Sequence, residues 1–181
     1  MKGSWIETYS GKKFYALDPR QEDICIEDIA HSLAYQCRYT GHSARFYSVA
    51  QHSIELSVYS QLRGEPESTS LYWLLHDAHE AYVGDMSSPM KQNLEELGLL
   101  ESWNKVVTNI NGVIFKKFGI LDAVIRDDYD KRILLDEKKE FFPDSKNNWG
   151  LDLVPLGISI DVMSDKMSEY LFLKRFKQLY G

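Results

Sequence analysis

The chain has 181 residues, of which 44% are hydrophobic and 13% aromatic, enough apolar material to fill the core of one globular unit. Its net charge of -6 and pI near 5.4 count against a non-specific nucleic-acid binder, which carries a basic face. The same balance leaves room for a phosphorylated small ligand, because a bound metal and a few Arg or Lys side chains reverse the local sign.

In chain order, Met1 to Tyr9 is polar and aromatic and does not read as a signal peptide, and no apolar run approaches the length of a membrane span. Cys25 and Cys37 show no CxxC spacing and read as reduced thiols, so the expectation is a soluble cytoplasmic protein. Trp5 to Tyr9 and Lys13 to Leu17 flank Ser10-Gly11-Lys12, which predicts a small N-terminal β-hairpin. After the break at Asp18-Pro19-Arg20, the stripe Ile26, Ile29, Ala30, Leu33, Ala34 and Cys37 predicts a helix over about Glu27 to Gln36, with a loop at Arg38 to His42.

Helical periodicity resumes near Ser48, placing Val49, His52, Leu56 and Tyr59 on one stripe, and fades at Arg63-Gly64. A further helix, capped by Ser68 or Thr69, carries Tyr72, Leu75, His76 and His79 toward Gly84. Ser87-Ser88-Pro89 opens another, Glu101 to Phe118 is amphipathic, and Asp122 to Phe142 is predicted as one long helix containing Ile125, Tyr129, Ile133 and Leu134. Asn147 to Gly157 reads as a loop, and Ser164 to Leu179 as a closing helix. The expectation is all-α, with residues 1–181 forming one domain.

The chemistry concentrates between Trp73 and Pro89. An apolar lead-in runs into His76 and Asp77, then Glu80 and Asp85, so ionisable groups would sit at the end of a buried helix, where they need a partner such as a divalent metal. An adjacent His-Asp pair is weak evidence alone, and a lone His52 on an apolar face reads equally as a hydrogen-bonded core histidine. Together with an Asp from the third helix, these residues form a nitrogen and oxygen set suited to Mn, Co, Fe or Zn. Spacing does not choose that Asp among Asp127, Asp128, Asp130 and Asp136. Glu80 is a candidate to orient or deprotonate a water, and Asp85 to protonate a leaving oxygen. Arg38, Arg45 and Lys91 are candidate phosphate contacts, whereas His31 and His79 receive no role.

The runs Phe46-Tyr47-Ser48-Val49-Ala50-Gln51-His52-Ser53 and Leu75-His76-Asp77-Ala78-His79-Glu80-Ala81-Tyr82, followed by Asp85, Ser88-Pro89 and Lys91 and then by Tyr129-Asp130 and Glu137, resemble the HD-domain phosphohydrolases. The likeness is to the small bacterial and phage branch with 5′-deoxynucleotidases and DatZ-type deoxynucleoside triphosphatases, and it extends to Tyr9 to Lys12, Phe14-Tyr15 and Arg38 to His42. It implies an HD-domain helical bundle that assembles as dimers or rings, and one divalent ion per active site held by His52, His76, Asp77 and Asp130. It further implies Glu80 and Asp85 as catalytic carboxylates, Arg38 and Lys91 at the substrate phosphates, and Tyr39 and Gly41 beside the base and sugar. The substrate would be a deoxynucleotide, either a triphosphate, with adenine as the DatZ-type base, or a monophosphate. Some relatives carry a basic residue where this chain has Asp127, which weakens triphosphate binding by that route unless Arg126, Lys131 or Arg132 substitutes. A non-catalytic nucleotide sensor and a hydrolase of an alarmone or cyclic nucleotide are the competing readings.

Overall fold

The computed structural model describes residues 3–120, 123, 125 and 128–181. The chain opens with the predicted hairpin, β1 (Ile6–Glu7) and β2 (Lys13–Phe14), antiparallel with Ile6 opposite Phe14 and Glu7 opposite Lys13. Gly11, at φ +80°, closes the turn by donating its N–H to the Thr8 carbonyl at 2.9 Å. Helices follow: α1 (Ile26–Tyr35), α2 (Val49–Leu62), α3 (Glu67–Leu75), α4 (Glu80–Val83), α5 (Ser88–Glu96), α6 (Leu100–Lys117), α7 (Tyr129–Phe141) and α8 (Asp165–Tyr180). Among the described residues, no helix is long and apolar enough to cross a membrane.

α1 follows its apolar stripe, burying Ile29, Ala30, Leu33 and Ala34. Its Asp28 is buried as well, and its carboxylate accepts hydrogen bonds from the Ser10 N–H at 2.6 Å and the Ser10 hydroxyl at 2.8 Å, which fastens the hairpin to the helix. α2 departs from the amphipathic reading. Ser48 caps it by accepting from the Gln51 N–H at 3.0 Å, and the helix is buried around most of its circumference, with Ser53, Ser57 and Ser60 inside while Tyr59 is only half-buried. The reason is its central position: α2 packs on α1, α3 and α8, and its serines admit close helix approach. Arg175 of α8 bridges one such seam, donating to the Ser57 hydroxyl and backbone carbonyl, each at 3.0 Å, and to the Gln61 side-chain oxygen Oε1 at 2.7 Å.

Three helix boundaries differ from the predicted ones. α3 begins at Glu67, directly after Pro66, so Thr69 lies inside the helix and is buried instead of capping it. α3 and α4 are not continuous: the chain tightens through residues 76–79, with Ala78 N–H donating to the Leu75 carbonyl at 3.0 Å and Glu80 N–H to the Asp77 carbonyl at 2.9 Å. Here His76 Nδ1 takes the Trp73 carbonyl at 2.8 Å, the acceptor that a continuous helix would offer to the Asp77 N–H. α7 starts at Tyr129 because the Asp128 side chain caps it, accepting from the Lys131 N–H at 3.3 Å; Ile125 is exposed and precedes the helix, and Asp122 lies outside the described residues.

Two apolar clusters result. The larger joins α1, α2, α3, α6 and α8, through residues such as Leu33, Ala50, Leu74, Ile114 and Phe172. The smaller one, with Tyr47, Leu56, Trp73, Tyr129, Ile133 and Phe141, supports the ends of α2, α3 and α7 that carry the ionisable residues.

Candidate metal centre

His52 from α2, His76 from the turn after α3 and Asp130 from the first turn of α7 each offer a ligand atom, and these atoms all lie within 4.8 Å of one another. His52 Nε2 stands 3.1 Å from Asp130 Oδ1. Asp77 Oδ2 lies 3.1 Å from His76 Nε2 and 3.7 Å from His52 Nε2, so a second carboxylate faces both rings. Of the candidates left open by spacing, Asp128 caps α7, Asp136 accepts from the Leu156 and Gly157 N–H groups, and Asp130 alone reaches the cluster among the described residues. Asp127 and Arg126 lie outside them.

The two imidazoles are oriented by the atoms behind them. His52 Nδ1 meets Glu137 Oε1 at 2.7 Å, and His76 Nδ1 meets the Trp73 carbonyl. Both partners can only accept, so each Nδ1 carries a hydrogen and each Nε2 is directed into the cluster. Both Nε2 atoms are buried without a hydrogen-bond partner among the described residues. Two buried ring nitrogens converging on two carboxylates fit a divalent ion that favours nitrogen and oxygen donors.

The electrostatics agree with a site that needs positive charge. Burial and Arg38 oppose protonation of His52, but Glu137 and Asp130 outweigh them and carry it up to about 9. Burial resists ionisation of Asp130 too, yet His52 holds it at about 2, and His76 together with His52 and Arg38 keeps Asp77 well below the ordinary carboxylate range despite its burial. These anions favour positive charge at the cluster. A metal cation held there would supply that charge.

The family resemblance takes in Glu137 without a role for it, and in the structure it is the hub beneath the site. It is fully buried; Oε1 also accepts from the Tyr47 hydroxyl at 3.0 Å, and Oε2 accepts from Arg38 Nη2 at 3.3 Å and from the Tyr39 hydroxyl. Burial would raise its pKa, but Arg38, His52 and Tyr39 hold it at about 2. The signal was present in the pattern Ile133, Glu137, Phe141, a carboxylate on the buried stripe of α7.

The remaining candidates divide. Arg38 is buried at the cluster, 3.9 Å from Asp77 as well as bonded to Glu137; burial opposes its charge, but Glu137 and its neighbours keep it firmly protonated. Tyr39 turns its hydroxyl inward onto Glu137 and its ring edge-on to Phe142, so it holds Glu137 from the side. The predicted loop here is a tight turn, Arg38–Gly41, in which Tyr39 and Thr40 both take left-handed backbone angles, φ 58° and 55°. Gly41 follows at φ +77° with open space around it. Arg45 points away from the cluster and pairs with Glu140 at the surface.

Glu80 and Asp85 bracket α4. Glu80 is buried with one carboxylate oxygen lacking a hydrogen-bond partner among the described residues, and burial, Asp77 and Asp85 push it up to about 10. Burial raises Asp85 as well, against the pull of Arg38 and Lys91. Lys91, half-buried on α5, is close enough to favour ionisation of both carboxylates. A cavity of about 820 Å³ between α5 and α6 is lined by residues such as Glu95, Asn104, Lys105 and Gly112, remote from this donor set. The cluster is marked by its chemistry.

No family model matches the chain. It is 41% identical over 117 residues to the uncharacterized protein YfdR of Escherichia coli (strain K12), a match covering 65% of this chain and 60% of that protein. It is 42% identical over 95 residues to an uncharacterized protein of Rhodobacter capsulatus, covering 50% of this chain and 48% of that protein. The chain therefore spans only about half to three-fifths of the length of these relatives.

Proposed function

We propose that this protein is a metal-dependent phosphohydrolase of the HD-domain type that releases a deoxynucleoside from a deoxynucleotide. The observation that carries the reading is the convergence of the buried Nε2 atoms of His52 and His76 on the carboxylates of Asp77 and Asp130, with Arg38, Glu80 and Asp85 around them. His52, His76, Asp77 and Asp130 would hold the ion. When bound, a divalent ion supplies Lewis acidity toward a phosphoryl oxygen and toward water.

The chain's own residues do the rest. Glu80, buried with one carboxylate oxygen unbonded, is the group placed to accept a proton from the attacking water; its burial and the nearby Asp77 and Asp85 hold it protonated, and a cation held by the cluster would favour its ionised form. The water oxygen bonds to the phosphorus next to the sugar as the bond from that phosphorus to the 5′ oxygen breaks. Asp85, whose carboxyl burial biases toward the protonated form, delivers a proton to the departing oxygen. Arg38 and Lys91 balance charge on the phosphate oxygens. With a triphosphate the second product is triphosphate; with a monophosphate it is phosphate.

The test is chromatographic product analysis after incubation with dATP, dAMP and ATP, each with cobalt, manganese or zinc and with a chelator control. Deoxyadenosine plus intact triphosphate from dATP supports the triphosphatase form, and deoxyadenosine plus phosphate from dAMP the nucleotidase form. Metal binding without turnover of any of them overturns the deoxyadenylate reading.

A further inference from the structure

The two carboxylates assigned to proton transfer sit at either end of α4, a helix of only four residues. So short a helix has almost no hydrogen-bond ladder of its own, and its geometry must be imposed from outside. The imposing group is Gln36, at the C-terminal end of α1. Its side-chain nitrogen donates to the Glu80 carbonyl at 3.0 Å, and its side-chain oxygen accepts from the Asp85 N–H at 3.1 Å. One amide thus grips the backbone of the first residue of α4 and of the residue just past Gly84, where the chain reverses at φ +83°. The Glu80 carbonyl also receives the Gly84 N–H at 2.8 Å, which uses both of its lone pairs.

Gln36 is itself fixed. Ser32, one turn earlier on α1, lies 3.0 Å from its side-chain nitrogen, and the Ser32 hydroxyl donates to the Ala81 carbonyl at 3.0 Å. The Gln36 backbone carbonyl accepts the Val49 N–H at 3.1 Å, at the start of the helix that carries His52. One residue therefore references the start of α2, the start of α4 and the Asp85 backbone to a common point. Only a side chain with a donor and an acceptor on one terminal group makes both grips: Glu lacks the donor, and Asn is one carbon shorter.

We propose that Gln36 is a positioning residue that sets Glu80 and Asp85 at working distance from the metal cluster, and the inference rests on the phosphohydrolase reading for its kinetic consequence. The experiment compares wild type, Gln36→Leu and Gln36→Glu, each as the full chain, by turnover of the best deoxynucleotide, cobalt stoichiometry, melting temperature and amide hydrogen exchange over residues 80–85. Gln36→Leu is expected to lower kcat about tenfold to a hundredfold, as small misplacements of reacting groups do, with KM and cobalt stoichiometry held. Exchange of the Asp85 amide should accelerate. Gln36→Glu keeps the grip on the Asp85 N–H but sets a carboxylate oxygen against the Glu80 carbonyl, so its kcat should fall between the two, with a lowered melting temperature and cobalt stoichiometry held; it decides the matter if Gln36→Leu does not fold.

Wild-type kcat and wild-type Asp85 exchange in Gln36→Leu would overturn the proposal, as would a kcat loss matched by loss of cobalt. If wild type turns over no nucleotide, the phosphohydrolase reading falls, and exchange still decides the positioning role: faster exchange confined to residues 80–85 supports it, and unchanged protection refutes it.

Discussion

Glu137 Oε1 accepts a hydrogen bond from His52 Nδ1 at 2.7 Å across 85 positions of sequence, with both side chains wholly inside the protein. This bond joins α7 to α2, fixes which ring nitrogen of His52 faces the cluster, and brings in Arg38 and Tyr39 on the other carboxylate oxygen. Glu137→Gln keeps the shape, removes the charge and leaves buried Arg38 without its bonded carboxylate, with Asp77 at 3.9 Å. The expected cost is about 3–5 kcal/mol of stability, the range for breaking a buried ion pair. Cobalt affinity should fall about 10–100-fold, as it does when the group behind a ligating histidine is lost. Urea unfolding and a cobalt titration check both, and wild-type values in either would contradict the role given to Glu137.

A divalent ion that binds the folded cluster and not the unfolded chain stabilises by mass action. At about 100 times its dissociation constant the gain is about 2.7 kcal/mol. For a domain of this size that corresponds to a rise of about 5–10 °C in melting temperature. Manganese, cobalt or zinc should produce the shift in differential scanning fluorimetry, and a chelator should reverse it. His76→Ala and Asp130→Ala should each abolish it. A shift that survives both substitutions would place the ion elsewhere.

The clustered ionisable residues are legible for a simple reason: His52, His76 and Asp77 lie on or beside strongly apolar helical stretches, where an ionisable group stands out. Asp130 did not stand out from its acidic neighbours, and the family resemblance singled it out. Glu137 could have been read as a carboxylate on a buried stripe; its partners at Tyr39, Tyr47 and His52 depend on how three segments meet in space. The break between α3 and α4 was hidden because a side chain, His76, competes for a helix carbonyl. Nothing local marks Tyr39 and Thr40 as left-handed, since neither is Gly, Asn or Asp; Gly41 alone gave a hint of the turn.

Thr40 offers a direct test of that turn. It is exposed, β-branched and held at φ 55°, a backbone region costing an L-residue about 1–2 kcal/mol that Gly does not incur. The higher entropy of Gly in the unfolded chain offsets part of the gain. Thr40→Gly should therefore leave stability level or raise it by up to about 1 kcal/mol, where Ala→Gly at an ordinary exposed helical site costs about 0.5–1 kcal/mol. Denaturant midpoints measure the sign. A clear loss would mean that the turn is held by the threonine side chain.

Glu55, one turn after Gln51 on α2, supplies a pH test away from the ligand atoms. Burial raises its pKa, and Asp161 and Glu137 add to the rise, while the hydrogen bond from Gln51 at 3.5 Å and the charge of His52 oppose it. A carboxyl raised in the folded state binds its proton more tightly there than in the unfolded chain. Stability is therefore lost as pH climbs above the unfolded value of about 4.3, and the penalty is fully developed once the folded group has ionised. Glu55→Gln removes the ionisation. The variant should be more stable than wild type at pH 7, with the advantage shrinking on acidification and vanishing below about pH 4, where Glu55 is protonated in both states. Denaturant unfolding at pH 4, 5.5 and 7 reads the trend directly. An advantage that stays constant across the series would assign it to packing, and one that grows toward acid would reverse the sign of the argument.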